Sequence, residues 1–293
     1  MVNIYSRIKD SAFRQIELNE LLFVEHTHMI DDTPPGVWSR NNYFAFIQSG
    51  RMIWKSIYHS YEAVEGDILF IKKGANLMQQ LSGEFSAVYI FIPDELIKTF
   101  LKRNRYLSDG LQKDLSDQDT ILRAQPDELL ESYCRSIQSF LTLEENLCEP
   151  LLNLKLEELL LSLFANKRHA PITDYFLSLC REKSYQISRI MDWNFAYNLK
   201  LEDYARLCHM SLSAFKKAFR DLYDTTPAVW LKGRKLALAL HRVLTSHTPI
   251  GQIAFECGFE DSSNFIRLFK LQYELTPFQY RRKYQTAKAG CWE

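Results

Sequence analysis

A chain of 293 residues accommodates two domains with a hydrophobic core in each. Its 36 Lys and Arg balance its 36 Asp and Glu, but unevenly: from Ser184 onward there are 16 basic and 10 acidic residues, +6, which leaves −6 before it. No run of about eighteen apolar residues occurs, which excludes a membrane-spanning helix, and Met1 to Asp10 is polar and mixed in charge, unlike a signal peptide. An acidic front half and a basic back half fit a sensing or assembly domain joined to a nucleic-acid domain. The cysteines, at 134, 148, 180, 208, 257 and 291, form no C-x-x-C, so a reducing compartment, the cytoplasm, is expected. Cys148, Cys180, Cys208 and Cys257 sit in apolar helical patterns and should pack as small hydrophobes rather than form a redox switch or metal site.

Residues 20–92 read as strands. Leu21–Thr27, Asn42–Gln48, Met52–Tyr58 and Phe85–Phe91 are rich in aromatic and β-branched residues, and Ile68-Leu69-Phe70-Ile71 reads as a buried strand. Ser49-Gly50 punctuates one hairpin, Glu65-Gly66-Asp67 opens the buried strand, and Lys72-Lys73-Gly74 is the next turn. This order resembles half of a cupin jelly roll, which implies a cupin-like β-barrel. Metal cupins place two His and a Glu on one strand and a third His later. Here His26-x-His28 is the sole His pair and no His follows in Ala75 to Gln80, so two polar positions at a strand end are expected, with no metal and no cofactor. His59 is expected in a turn. No G-x-S-x-G, Walker A or G-x-G-x-x-G element is present.

After Pro93 the pattern turns helical. Asp94–Lys102 is short and amphipathic, Ser108–Thr120 is an acidic loop or fraying helix, and Gln125–Leu141 and Glu149–Asn166 are longer helices. The last carries more leucine than one buried stripe needs. One reading packs it on the barrel. The other pairs its excess face, with Leu152, Leu156, Leu160 and Leu163 as candidates, with a second copy. Residues 1–166 then form the first domain. The polar stretch ending in Pro171 marks a boundary, with 167–183 as linker and a helix over Ile172–Glu182, and 184–293 form the second domain. There Ser184 is positioned to cap a helix carrying Ile187, Ile190, Met191 and Phe195.

Leu199 to Glu202 opens a helix-turn-helix. Thr226 caps, and Pro227 starts, a helix to about Leu244. In Pro249 to Tyr284, Ile250, Ile253 and Ala254 have helical spacing, Gly258 ends that helix, and Asp261 caps another whose apolar face is Phe265, Leu268, Phe269 and Tyr273. This stretch repeats residues 211–227 with an offset of 50: Ser213 and Ser263, Phe215 and Phe265, Lys217 and Arg267, Phe219 and Phe269, Arg220 and Lys270, Tyr223 and Tyr273, Thr226 and Thr276, Pro227 and Pro277. One extra residue in the second copy falls in the turn.

The stretches G-F-x-[DS]-x-S-x-F-x-R-x-F-K at Gly258 to Lys270, T-P-x-x-Y-R at Thr276 to Arg281, and A-x-x-C-x-M-S-x-S-x-F-x-K-x-F-R at Ala205 to Arg220 resemble the AraC/XylS family of bacterial transcription regulators. The resemblance covers about the last hundred residues. It implies seven helices, two helix-turn-helix units on one bridging helix, and a cupin-like N-terminal domain. Asp261 and Lys217 depart from the family, which usually has Ser and Arg there.

The fold expected is therefore α+β in two domains, a cupin-like barrel with trailing helices and an all-α domain. Candidate base readers are Ser213, Lys216 and Lys217 in the first unit and Ser262, Ser263, Asn264 and Arg267 in the second. Candidate phosphate contacts are Ser211, Arg220, Asp261 and Lys270. The expected function is that of a cytoplasmic, sequence-specific regulator, an activator and homodimer on double-stranded promoter DNA, with RNA polymerase as partner and a small molecule or protein as effector. The alternatives are a cupin-type enzyme or small-molecule binder with a vestigial DNA domain, and a nonspecific architectural DNA binder.

Overall fold

The computed structural model describes all residues except 11–13, 30–35, 109–118, 143–148 and 290–293; for His28, Lys183 and 285–289 it describes the backbone alone. Two compact units are present, Met1–Gln186 and Ile187–Glu293.

The first unit contains two sheets. One has the order β1 (Val2–Asn3), β4 (Gly36–Ser39), β9 (Gly74–Gln80), β6 (Arg51–Lys55), β7 (Ser60–Val64). The other has the order β11 (Ile121–Ala124), β8 (Ile68–Ile71), β5 (Asn42–Ser49), β10 (Glu84–Ile92), β3 (Leu21–Met29), β2 (Gln15–Leu18). The alternation of a strand explains why β5 is buried on both faces. Tyr43, Ala45 and Ile47 share a core with Trp54, Met52 and Met78 of the opposite sheet. Phe44 and Phe46 turn the other way, Phe46 lying 6.0 Å from Tyr133 of the helical layer and Phe44 4.8 Å from Phe70.

The barrel expected from the strand rhythm is thus two sheets packed face to face, each with its own edges. The turns differ accordingly. Ser49-Gly50 does not close a hairpin: it carries the chain from the six-stranded sheet to the five-stranded one, as Lys72 and Lys73 also do. At this corner Gly50 has φ 83°, and a Cβ there would lie 2.4 Å from the Glu84 carbonyl oxygen. The hairpin lies one step later, where Ser56 donates its N–H to the His59 carbonyl at 2.8 Å, so the strand expected to reach Tyr58 stops at Lys55. His26 is buried within β3 rather than at a strand end, against Tyr89. No group of three or more His, Cys, Asp or Glu able to hold a metal occurs among the described residues.

The helices of this unit are α1 (Ile4–Lys9), α2 (Asp94–Arg103), α3 (Glu128–Leu141), α4 (Glu149–Ala165) and α5 (Ala170–Ser178). Asp127 caps α3 by accepting the Leu130 N–H at 3.0 Å. The stretch expected as a linker folds onto the six-stranded sheet: Tyr175 and Phe176 of α5 are buried, with Phe176 5.3 Å from Phe70. Polar groups fix it there. Tyr175 donates to Asn42, which donates to Asp94 at 2.8 Å, and Asp94 pairs with Lys73 at 2.7 Å with both side chains 2% exposed. Such a pair holds its place because every charge has a partner.

In α4, Leu152, Leu156, Leu160 and Leu163 belong to the chain's own core, while Leu154 and Leu161 are exposed. The face available to a second copy is therefore not the one the leucine count suggested. Cys257 is buried and Cys208 half-buried, but Cys180 is exposed; Cys148 and Cys291 lie outside the described residues, as does most of the expected 108–120 loop. Among the described residues no helix is long and apolar enough to cross a membrane.

The second unit is helical. α6 (Lys183–Asn194) leads into it, followed by α7 (Leu201–Leu207), α8 (Leu212–Tyr223), α9 (Pro227–Thr245), α10 (Ile250–Glu256), α11 (Ser262–Tyr273) and α12 (Pro277–Ala289).

Candidate nucleic-acid interface

Two helix-turn-helix units, α7–α8 and α10–α11, are built by the same local devices. α7 and α10 end at Cys208 and Cys257, and the next residue is left-handed in each: His209 at φ 54° and Gly258 at φ 80°. The chain then folds back in the same way, Met210 donating its N–H to Ala205 and Phe259 to Ala254, both at 2.9 Å. Up to this point the offset between copies is 49. After it the offset is 50, so Glu260 is the extra residue in the turn.

The recognition helices start on equivalent caps. Ser211 accepts the Ala214 N–H at 3.3 Å, and Asp261 accepts those of Ser263 and Asn264 at 3.1 and 2.7 Å. Both helices end on a left-handed residue other than glycine, Asp224 and Glu274. Thr226 and Thr276 then cap the following helices, whose first residues are Pro227 and Pro277.

The inner faces also repeat. Phe215 and Phe219 are buried under α8, and Phe265 and Phe269 under α11. Phe219, Tyr223 and Trp230 form an aromatic triangle with centroids 4.6, 6.0 and 5.5 Å apart; Phe269, Tyr273 and Tyr280 form its counterpart at 4.7, 5.9 and 6.1 Å. Trp230 and Tyr280 keep the 50-residue offset, so their place in the core was readable from the repeat.

α9 holds the parts in register. Its Lys235 donates to the Gly258 carbonyl at 2.7 Å and to Asn198 at 3.2 Å. Burial lowers the pKa of that ammonium. Gly258 has no room for a side chain, since a Cβ would sit 2.3 Å from the Ala196 carbonyl oxygen. Arg234 of α9 pairs with Asp192 at 3.0 Å, and Arg281 of α12 donates to the Thr248 carbonyl at 2.7 Å. No spacing argument points to Lys235 and Arg234 as scaffold, because each looks in sequence like a surface cation; Arg281 stands out only as the last residue of the T-P-x-x-Y-R stretch.

The outer faces carry the candidates. Ser211, Ser213, Lys216, Lys217 and Arg220 are exposed on and before α8. Asp261, Ser263, Asn264, Arg267 and Lys270 are exposed on α11, with Ser262 half-buried at its first residue. Asp261 and Ser211 are occupied as caps. Arg267 is steadied by its neighbour one turn back, its Nη2 donating to Asn264 Oδ1 at 3.0 Å. The first face thus presents three cations and the second presents two beside the carboxylate of Asp261. Both have the polar, extended groups that contact base edges and phosphates.

Comparison with known proteins gives matches in both units. Residues 42–175 match the ExsA N-terminal regulatory domain, and residues 204–283 match a helix-turn-helix domain. Over 246 residues the chain is 26% identical to the virulence regulon transcriptional activator VirF of Yersinia enterocolitica, covering 83% of this chain and 89% of that protein. It is 27% identical, over the same length and shares, to the thermoregulatory protein LcrF of Yersinia pestis. It is 24% identical over 238 residues to the HTH-type transcriptional regulator ExsA of Pseudomonas aeruginosa, covering 80% of this chain and 83% of that one.

Proposed function

The chain belongs to the AraC/XylS family of DNA-binding transcription regulators, and from that premise we propose an activator that reads two successive major grooves of its operator with α8 and α11. The observation that carries this reading is the duplicated helix-turn-helix, repeated in turn, cap and aromatic core, each copy with an exposed face of serine and basic residues. α9 has 19 residues, hence a length of about 28 Å at 1.5 Å per residue. One helical turn of DNA is about 34 Å. The two reading helices at its ends are therefore of a scale to enter the same side of the duplex.

Ser213, Lys216, Lys217, Ser262, Ser263, Asn264 and Arg267 contact bases in this proposal, and Ser211, Arg220, Asp261 and Lys270 border phosphates. Activation is carried over from VirF, whose name states it, and would require contact with RNA polymerase. The match of 42–175 to a regulatory domain supports a first unit that receives the signal, from a small molecule or a protein. The regulator reading replaces that of a cupin-type enzyme, because relatives spanning both units are named as regulators. Its place of action would be the cytoplasm, where the DNA is.

A homodimer joined through the exposed face of α4 is part of the proposal. Leu154→Glu with Leu161→Glu should give folded monomers by sedimentation and circular dichroism, whereas Leu156→Glu should unfold the first unit by burying an unpaired charge. The test of the main reading is titration of the full chain with promoter DNA at several salt concentrations, against nonspecific DNA at each. Binding should fall steeply with salt and keep a specificity ratio at fixed salt. Equal affinity for all sequences would leave only an architectural binder.

A further inference from the structure

The two recognition helices differ at an exposed place where one has a cation and the other a hydrocarbon. Fifty residues after Lys216 stands Ile266. It lies between Phe265, which is fully buried, and Arg267, which is exposed, and is itself 37% exposed. Successive helical residues are about 100° apart, so Ile266 stands on the flank of the outer face, next to Arg267 and one turn before Lys270. A β-branched residue is a poorer helix former than lysine, and about a third of its surface remains in water. The equivalent position of α8 is met by Lys216, exposed in the same register.

We propose that Ile266 is a specificity residue that recognises the methyl group of a thymine in the major groove. The inference rests on the reading of α11 as a groove-entering helix. In that groove thymine is the base that offers a hydrocarbon, and an aliphatic side chain is the group that matches it. Arg267, held by Asn264, retains further N–H donors for the O6 and N7 of a guanine. The second unit then reads a guanine and a neighbouring thymine methyl, whereas Lys216 gives the first unit a charged donor at the same place and no hydrocarbon to meet a methyl group.

The experiment starts from a binding site selected by the full chain from random DNA. Each thymine in it is replaced singly by deoxyuridine, which lacks the methyl group, and affinities are measured for the wild type, Ile266→Ala and Ile266→Lys. The wild type should lose about three- to fivefold at one thymine, the effect of one buried methyl group. Ile266→Ala should bind the unmodified site about that much more weakly and show no further loss with deoxyuridine. Ile266→Lys, copying the first unit, should also lose the methyl dependence and gain a steeper salt dependence. A wild type indifferent to deoxyuridine at every thymine, while still preferring its selected site, overturns the role of Ile266 alone. So does a methyl effect that persists in Ile266→Ala. Failure to select any site overturns the reading of α11 as well.

Discussion

The two helix-turn-helix units share an interior and differ on the surface. Their turns, caps and aromatic triangles repeat in place and geometry, the triangle distances agreeing within 0.6 Å. Their outer faces do not: Lys216 faces Ile266 in the alignment, Lys217 faces Arg267, and the cap Ser211 faces Asp261. Packing tolerates little change once a core is filled, because each lost contact leaves a cavity. An exposed face carries no such constraint, so it diverges toward whatever each unit must contact. The comparison teaches that the scaffold and the reading surface of one motif obey different rules.

Changes to the shared interior should have the largest effects and should be equal in the two units. Phe219→Ala and Phe269→Ala should each cost about 3–5 kcal/mol, measured by chemical denaturation, since both fill the same triangle. A large inequality would mean that the units are not energetically equivalent. The turn should break the symmetry next. Gly258→Val should cost about 2–4 kcal/mol through its left-handed backbone and its clash with the Ala196 carbonyl, while the first unit already tolerates His209 at the equivalent place.

The surface should separate the units further. Arg267→Ala should weaken operator binding by about 1–3 kcal/mol at fixed salt. Lys217→Ala should cost less, relax sequence preference less than Arg267→Ala and give a shallower salt slope, because a lysine offers a point charge rather than a planar fork. The smallest effect belongs to the cap. Asp261→Ser keeps an acceptor for the Ser263 and Asn264 N–H groups and should leave stability within about 0.5 kcal/mol, with slightly tighter DNA binding as a negative charge leaves the phosphates. Asp261→Ala should instead cost about 1 kcal/mol of stability, matching Ser211→Ala.

The second unit was legible in the sequence because its signals are local and occur twice. Gly258, Asp261, Thr276 and Pro277 each announce a helix end, and the offset of 50 confirms the pairing of the phenylalanines. The left-handed Asp224 and Glu274 were not legible, since nothing in their side chains demands that conformation. The first unit was harder to read. β2, β4 and β11 have four residues each, too few to show an alternation. Ser49-Gly50 looks like a hairpin because a turn between strands of one sheet and a corner between two sheets use the same residue types. Pro171 looked like a boundary because it ends a polar run, yet it occupies the first turn of α5, where a missing N–H costs nothing. Leu152, Leu156, Leu160 and Leu163 could not be told from Leu154 and Leu161 by counting, because leucines ring α4 on every side and its packing partners are remote in sequence.

The most direct test of a common scaffold with unequal reading surfaces is selection of binding sites from random DNA by the full chain, compared with Arg267→Ala and Lys217→Ala. The expected result is that Lys217→Ala selects the wild-type sequence more weakly, while Arg267→Ala loses the preference for guanine at one position in the half of the site that α11 reads. If Arg267→Ala keeps the wild-type preference at every position, Arg267 does not read a base and the outer face of α11 is not the reading surface.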